Sequence, residues 1–228
     1  MIVAVHQPQY LPWLGYFDKI DRADAFVFLD NVQYKKNEWQ NRNRIKTAQG
    51  WQWITVPVTY AFPQKIHEVG INNRERWQRQ QRQAVLSNYR KAPHWDRIFP
   101  LVEEFLARAW DRLAPLNIFV VQRLAETLGI ATPLMVASEL PAFPEDPDER
   151  LIAIARHVGA NAYLAGSGGR GYMDLDRYAR AGIHVLFQDY RHPVYEQQFG
   201  AFQPFLSVLD LLFNHGPDSL DILRRGNR

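Results

Sequence analysis

Cysteine is absent from the 228 residues. Disulfides, thiolate nucleophiles and cysteine-ligated zinc are therefore excluded together. No apolar run approaches the roughly 20 residues that a membrane span requires. The amino terminus has no basic segment, and His6 and Pro8 interrupt its apolar run, so no secretory signal is expected and a cytoplasmic location is the default. Excess charge of one sign is lacking too. Against 24 Asp and Glu stand 27 Lys and Arg, a net charge of +3 that is too small for a polycation. The seven histidines, at 6, 67, 94, 157, 184, 192 and 215, form no His-x-x-x-His pair and no metal-ligand cluster, so no metal site is expected from protein ligands alone. No nucleophile elbow supports a Ser-His-Asp hydrolase, and no recognised nucleic-acid module is present.

What remains is ordinary globular composition, 46% hydrophobic and 22% charged, with seven Trp and ten Tyr. Strand and helix signals alternate. The apolar run 2–5, a helix over about 12–22 and the run 25–29 read as a right-handed βαβ unit with parallel strands. Trp51 to Val58 is rich in β-branched residues and reads as a strand, with 66–71 as its pairing candidate. Helical spacing dominates from Arg74 to Leu128, and Gly129 is placed to stop the last of these helices. Alternation resumes with strand 134–136, a helix over about 148–158, strand 162–165, a helix around 175–181 and strand 183–187. The expected fold is a single α/β domain with a Rossmann-like, mostly parallel sheet. Residues 1–72 and 130–228 supply the sheet portions, and 73–129 form an inserted helical block.

In open α/β sheets, ligands bind beyond the carboxyl ends of the strands. His6 ends the first strand, and a near-neutral imidazole suits acid–base work or donation to a developing anion. Gln7, Gln9 and Tyr10 follow it as uncharged donors and acceptors able to read an amide or hydroxyl. Asp30 ends the second strand, placed to orient His6 or to hold Mg²⁺ through water, or simply to close an Asx turn. From it, residues 30–46 read as a loop in which Lys35, Lys36, Arg42, Arg44 and Lys46 oppose, beyond Asp30 itself, the single acid Glu38, with Asn31 and Asn41 as neutral donors. Arginine forks match phosphate or carboxylate oxygens; a solvated basic loop is the plainer alternative. Gly166, Ser167, Gly168, Gly169, Arg170 and Gly171 follow a strand and precede a helix, a place where backbone N–H groups approach an anion. Arg170 and Tyr172 are the specific contacts expected there. Ser207, Asp210 and Asn214 fall on one face of a late helix, which either closes the site or caps the helix.

Longer motifs carry a family resemblance. His6-Gln7-Pro8-Gln9-Tyr10-Leu11-Pro12-Trp13-Leu14-Gly15-Tyr16-Phe17 resembles the opening of the WbqC-like family. So do Leu29 to Lys36 with Asn41-Arg42-Asn43, and Phe205 to Asn214 resembles its closing segment. The resemblance implies a transferase-like role on an activated small molecule in bacterial surface-polysaccharide (O-antigen) or natural-product biosynthesis. A fainter likeness joins strand, Gln-Pro turn and glycine-containing helix to the His-x-Gly-His nucleotidyltransferases. In the aligned Trp13-Leu14-Gly15-Tyr16 the glycine matches and both histidines are missing.

The expected function is transfer from a phosphate-bearing, nucleotide- or carrier-linked donor. The basic loop and the 166–171 turn would hold the anion, and His6 would assist the chemistry. The residues leave the cofactor open; a nucleotide-type donor would bring Mg²⁺ with it. The residues do not choose among acyl, aminoacyl and nucleotidyl transfer. A nucleotide-ligand-binding protein without catalysis is the second expectation, and a nucleic-acid binder through Arg74–Lys91 the third.

Overall fold

The computed structural model describes residues 1–227. Its frame is set by short apolar strands whose side chains alternate between two faces. The strand β1 (Ile2–His6) pairs in parallel with β2 (Ala25–Phe28), from Val3↔Ala25 to His6↔Phe28. Beyond β2 lies β7 (Leu134–Val136), and on the opposite side of β1 lie β8 (Ala162–Ala165) and then β9 (His184–Phe187). The order β7-β2-β1-β8-β9 is parallel throughout, a Rossmann-like α/β sheet. It builds outward from β1 on one side, then restarts on the other. The order therefore reverses between β1 and β8.

Ala4, Phe26, Phe28 and Leu164 face the larger core. That core also holds α1 (Leu14–Asp21), α2 (Trp77–Tyr89), α3 (Trp95–Leu106), α4 (Leu113–Leu128), α7 (Val208–His215) and α8 (Ser219–Arg224). Val3, Val5, Val27, Tyr163 and Ala165 face a smaller core closed by α5 (Pro147–His157) and α6 (Leu175–Arg180). Each fully buried Leu, Phe or Val contributes on the order of 1.5–3 kcal/mol to this packing. Gly129 ends α4 with φ 83°, a left-handed conformation that glycine adopts without strain. Among the described residues, no helix is long and apolar enough to cross a membrane.

Two antiparallel pairs stand apart from the sheet. Residues 42–46, expected as loop, belong to β3 (Arg42–Thr47), paired with β4 (Gly50–Thr55) in the register Arg42↔Thr55 to Thr47↔Gly50. The strand alternation is present in the sequence but disguised by polarity. Asn43 and Ile45 are buried, while Arg42 and Arg44 lie on the other face, half-exposed. Pro57 separates β4 from β5 (Val58–Thr59), which pairs with β6 (Gly70–Ile71). Of the expected partner segment 66–71, only those last two residues pair; Ile66–Glu68 forms a 3-10 turn.

Candidate functional site

The reversal of strand order places the carboxyl ends of β1 and β8 side by side, where open α/β sheets hold their ligands. His6 closes β1 and is only partly exposed. Its Nδ1 lies 3.0 Å from the Gln7 carbonyl. A carbonyl only accepts, so Nδ1 carries the hydrogen and Nε2 presents its lone pair. The ring packs edge-on to Tyr16, centroids 4.8 Å apart. Burial, joined by the nearby Lys19 charge, lowers its pKa from 6.5 to about 3. Both causes hold the ring toward its neutral form, with Nε2 as an acceptor.

Lys19 is a residue that sequence reasoning missed. It is 3% exposed, and its Nζ donates to the Val5 carbonyl at 3.0 Å and lies 5.9 Å from the Tyr163 ring centroid. Desolvation lowers its pKa from 10.5 to about 7. In sequence, Asp18-Lys19 reads as a solvated pair on an amphipathic helix. Instead every residue of α1 from Leu14 to Ile20 is buried, because α8 and the chain's last turn cover its outer side. Arg224 binds Asp21, and Asn227 binds Asp18. These contacts span about two hundred residues of chain, and no local pattern announces them.

The glycine turn follows β8, at the same carboxyl edge of the sheet as His6. Gly166, Gly168 and Gly171 would each meet nothing within 4 Å if given a Cβ, and none has a positive φ. Neither packing nor backbone conformation requires glycine at these positions. Gly169 differs, since its Cβ would lie 2.7 Å from the Met173 sulfur. Ser167, Arg170 and Tyr172 are exposed, and the Arg170 guanidinium stacks 4.4 Å above Phe187. The helix expected around 175–181 is α6, from Leu175 to Arg180. Between it and β8, residues 167–171 form a 3-10 turn, and the Asp148 carboxylate accepts from the Asp174 N–H at the start of α6.

The segment after β1 is tied to residues 39–43 by amides. Gln40 donates to the Gln7 side chain at 2.7 Å, and Asn117 donates to the Gln40 and Pro8 carbonyls. Asn43 donates to the Leu11 carbonyl at 2.8 Å, holding Leu11 at φ 46°. Tyr10 is fully buried and donates to Gln81, while Asn41 donates to the Val56 carbonyl. The buried Gln9 Oε1, Asn31 Oδ1 and Asn117 Oδ1 have no partner among the described residues. Orphaned acceptors of this kind are costly in a core and fit a ligand or water that donates.

Other sequence candidates fall elsewhere. Both Asp30 carboxylate oxygens accept from Ser138, from its N–H at 2.9 Å and its hydroxyl at 2.6 Å. Lys35 and Lys36 are exposed. Arg42 lies 4.5 Å over Trp53, and Arg44 lies 4.9 Å over Trp51 and donates to the Phe205 carbonyl. Both arginines belong to an outward face of the hairpin with the half-exposed Trp39, Trp51 and Trp53, and no hydrogen bond or ion pair joins them to the 166–171 turn. Ser207 caps α7, and Asn214 donates to the Asp210 carbonyl. Asp210 is wholly buried and accepts from Tyr89 and Tyr195 at 2.9 and 3.0 Å. Surface clefts of about 310 Å³ between β4 and α2, and about 760 Å³ beside Arg90 and Phe199, are not lined by His6 or the glycine turn.

The amino terminus of α1 is closed. The Trp13 indole lies against Gly15, where a Cβ would come within 2.3 Å of it, and it packs with Tyr190, His192 and Phe205. Gly15 is kept for this contact, and the helix end that would face a triphosphate in the His-x-Gly-His arrangement is covered by an aromatic ring.

A family model for the WbqC-like protein family matches residues 7–222. The chain belongs to the WbqC-like family. This WbqC-like protein is also 38% identical over 226 residues to the uncharacterized protein Rv1507c of Mycobacterium tuberculosis, covering 97% of each chain. No solved structure matches it. Both the opening motif and the closing Phe205–Asn214 segment lie within or across the matched span. The structure puts them in contact, through the Trp13↔Ser207 bridge and the Val208 N–H on the Pro12 carbonyl.

Proposed function

We propose that this WbqC-like protein is a transferase acting on an activated, phosphate-bearing small molecule at the crevice between β1 and β8. The single observation that carries the reading is the turn at 166–171, with three glycines that neither packing nor conformation explains, set at the reversal of strand order. Glycine there lets a ligand approach backbone N–H groups closely. The neutral His6 Nε2 accepts from an incoming hydroxyl or amine, and Gln7 and the orphaned Gln9 and Asn31 oxygens orient that acceptor. Family context favours an amino- or hydroxyl-bearing sugar in surface-polysaccharide or natural-product assembly. A nucleotide-type donor would arrive with Mg²⁺.

A thermal-shift panel of nucleotides, nucleotide-sugars, acyl carriers and short oligonucleotides, with and without Mg²⁺, tests the reading. Ligand at 100 times its dissociation constant stabilises the fold by about 2.7 kcal/mol. The expected result is a selective small-molecule shift that disappears in Gly168→Val while the unliganded melt stays put, because a Cβ at Gly168 meets open space. Stabilisation by oligonucleotides alone, or by nothing, sinks the transferase reading.

A ligand-binding protein without catalysis is the second reading, favoured by the covered α1 terminus and the low basicity of His6. It requires His6→Ala to bind the same ligand unchanged, with no turnover on any acceptor.

A further inference from the structure

The hydrogen-bond ladder between β1 and β8 stops early. Pairing runs from Ile2↔Ala162 to Ala4↔Leu164 and ends, although β1 continues beside β2 to His6 and β8 continues beside β9 to Ala165. Both strands go on; only their mutual pairing is broken. The Val5 carbonyl, left free by the break, accepts instead from the Lys19 Nζ. Side chains on a helix tilt toward its amino terminus, which here aims Lys19 up α1 toward the strands' carboxyl ends.

An ammonium offers three hydrogens, and the Val5 carbonyl takes one. No carboxylate lies within salt-bridge distance of Lys19 among the described residues. Its neighbour Asp18 is turned away and accepts from Gln188 and Asn227, with Arg22 at 3.8 Å. The other titratable groups nearby are His6 on β1, with the Tyr16 ring packed against it, and Tyr163 on β8. Burial keeps the first neutral by lowering its pKa and the two phenols neutral by raising theirs. A buried, uncompensated cation is costly, and its natural complement is an anion that is not part of the chain.

We propose that Lys19 is the anion receptor of the crevice: its ammonium engages a phosphoryl oxygen of the substrate in the gap between β1 and β8. This rests on the transferase reading above and names the group that holds its donor. The glycine turn follows β8 just past the end of the β1–β8 pairing, and the Lys19 ammonium sits on the Val5 carbonyl beside it. Proton linkage follows from the geometry. An anion beside the amine favours its charged form, so binding above neutral pH draws a proton from solution.

Isothermal calorimetry tests the assignment with two probes, inorganic pyrophosphate for affinity and sulfate, which does not itself titrate, for proton uptake. In buffers of different ionisation enthalpy, the wild-type protein is expected to take up close to one proton per sulfate at pH 8 and little at pH 6. Lys19→Met is expected to weaken pyrophosphate about tenfold or more and to abolish the uptake. Wild-type binding without uptake at pH 8 overturns the assignment, and this measurement needs no variant to fold. Equal pyrophosphate affinity in a folded Lys19→Met overturns it as well, while leaving the transferase reading standing. If the wild type binds neither probe and no nucleotide-linked donor, the reading and the receptor fall together.

Discussion

Lys46 and Lys19 are withdrawn from water to nearly the same degree, at 1% and 3% exposure, and the fold equips them differently. Lys46 donates to the Gln197 side chain and the Ala201 carbonyl, and the buried Asp210 carboxylate opposes the loss of its charge. Asp210 in turn is closed by two tyrosine hydroxyls, and Tyr89 also accepts from the Lys46 N–H. The node is finished. Lys19 has one carbonyl, no acid, and a broken ladder above it. A complete buried network stabilises one arrangement, whereas an incomplete one marks where the chain expects something from outside.

The most damaging way to break this contrast is Asp210→Ala. It takes away the acceptor to which the Tyr89 and Tyr195 hydroxyls donate and the acid that opposes the buried Lys46 charge, and urea titration should show a loss of about 3–5 kcal/mol. Gly15→Ala comes next, forcing Trp13 from its seat on α1 at a cost of about 1–3 kcal/mol by the same titration. Lys19→Met should have the opposite sign to both, neutral or stabilising by about 1 kcal/mol, since it removes an uncompensated charge.

The pH dependence sharpens the third case. Below about 7, folded and unfolded Lys19 both hold the proton. Between about 7 and its ordinary 10.5, only the unfolded chain keeps it, so stability gains as pH rises. The wild-type urea midpoint should therefore climb relative to Lys19→Met across that window; parallel curves would refute the burial of a charged amine. The smallest effect is expected at Trp51→Ala on the exposed hairpin face, within about 0.5 kcal/mol, because nothing there depends on a closed network.

The contrast also explains what could be read from the chain. The sheet was legible because its strands are short continuous apolar runs, as in Ala25–Phe28, and because Gly129 and Pro147 punctuate neighbouring helices. The position of His6 and of the glycine turn followed from those strands. Lys19 did not, since its burial depends on Gln188 and Asn227 packing around Asp18. Nor did β3, whose inward Asn43 and outward Arg44 defeat any alternation of apolar with polar. Ser207 caps α7 and Asp210 and Asn214 lie along it, but helical spacing does not say whether a polar face looks at solvent, a ligand or two tyrosines.

The wrapping of α1 has a consequence for how this part of the protein folds. Residues 14–21 are covered on their outer side by Arg224 and Asn227, about two hundred residues away in sequence. The helix that carries Lys19 reaches its final surroundings only when that distant segment docks. Its ordering waits on a contact of very long loop closure, and loosening α8 would be felt at Lys19 first.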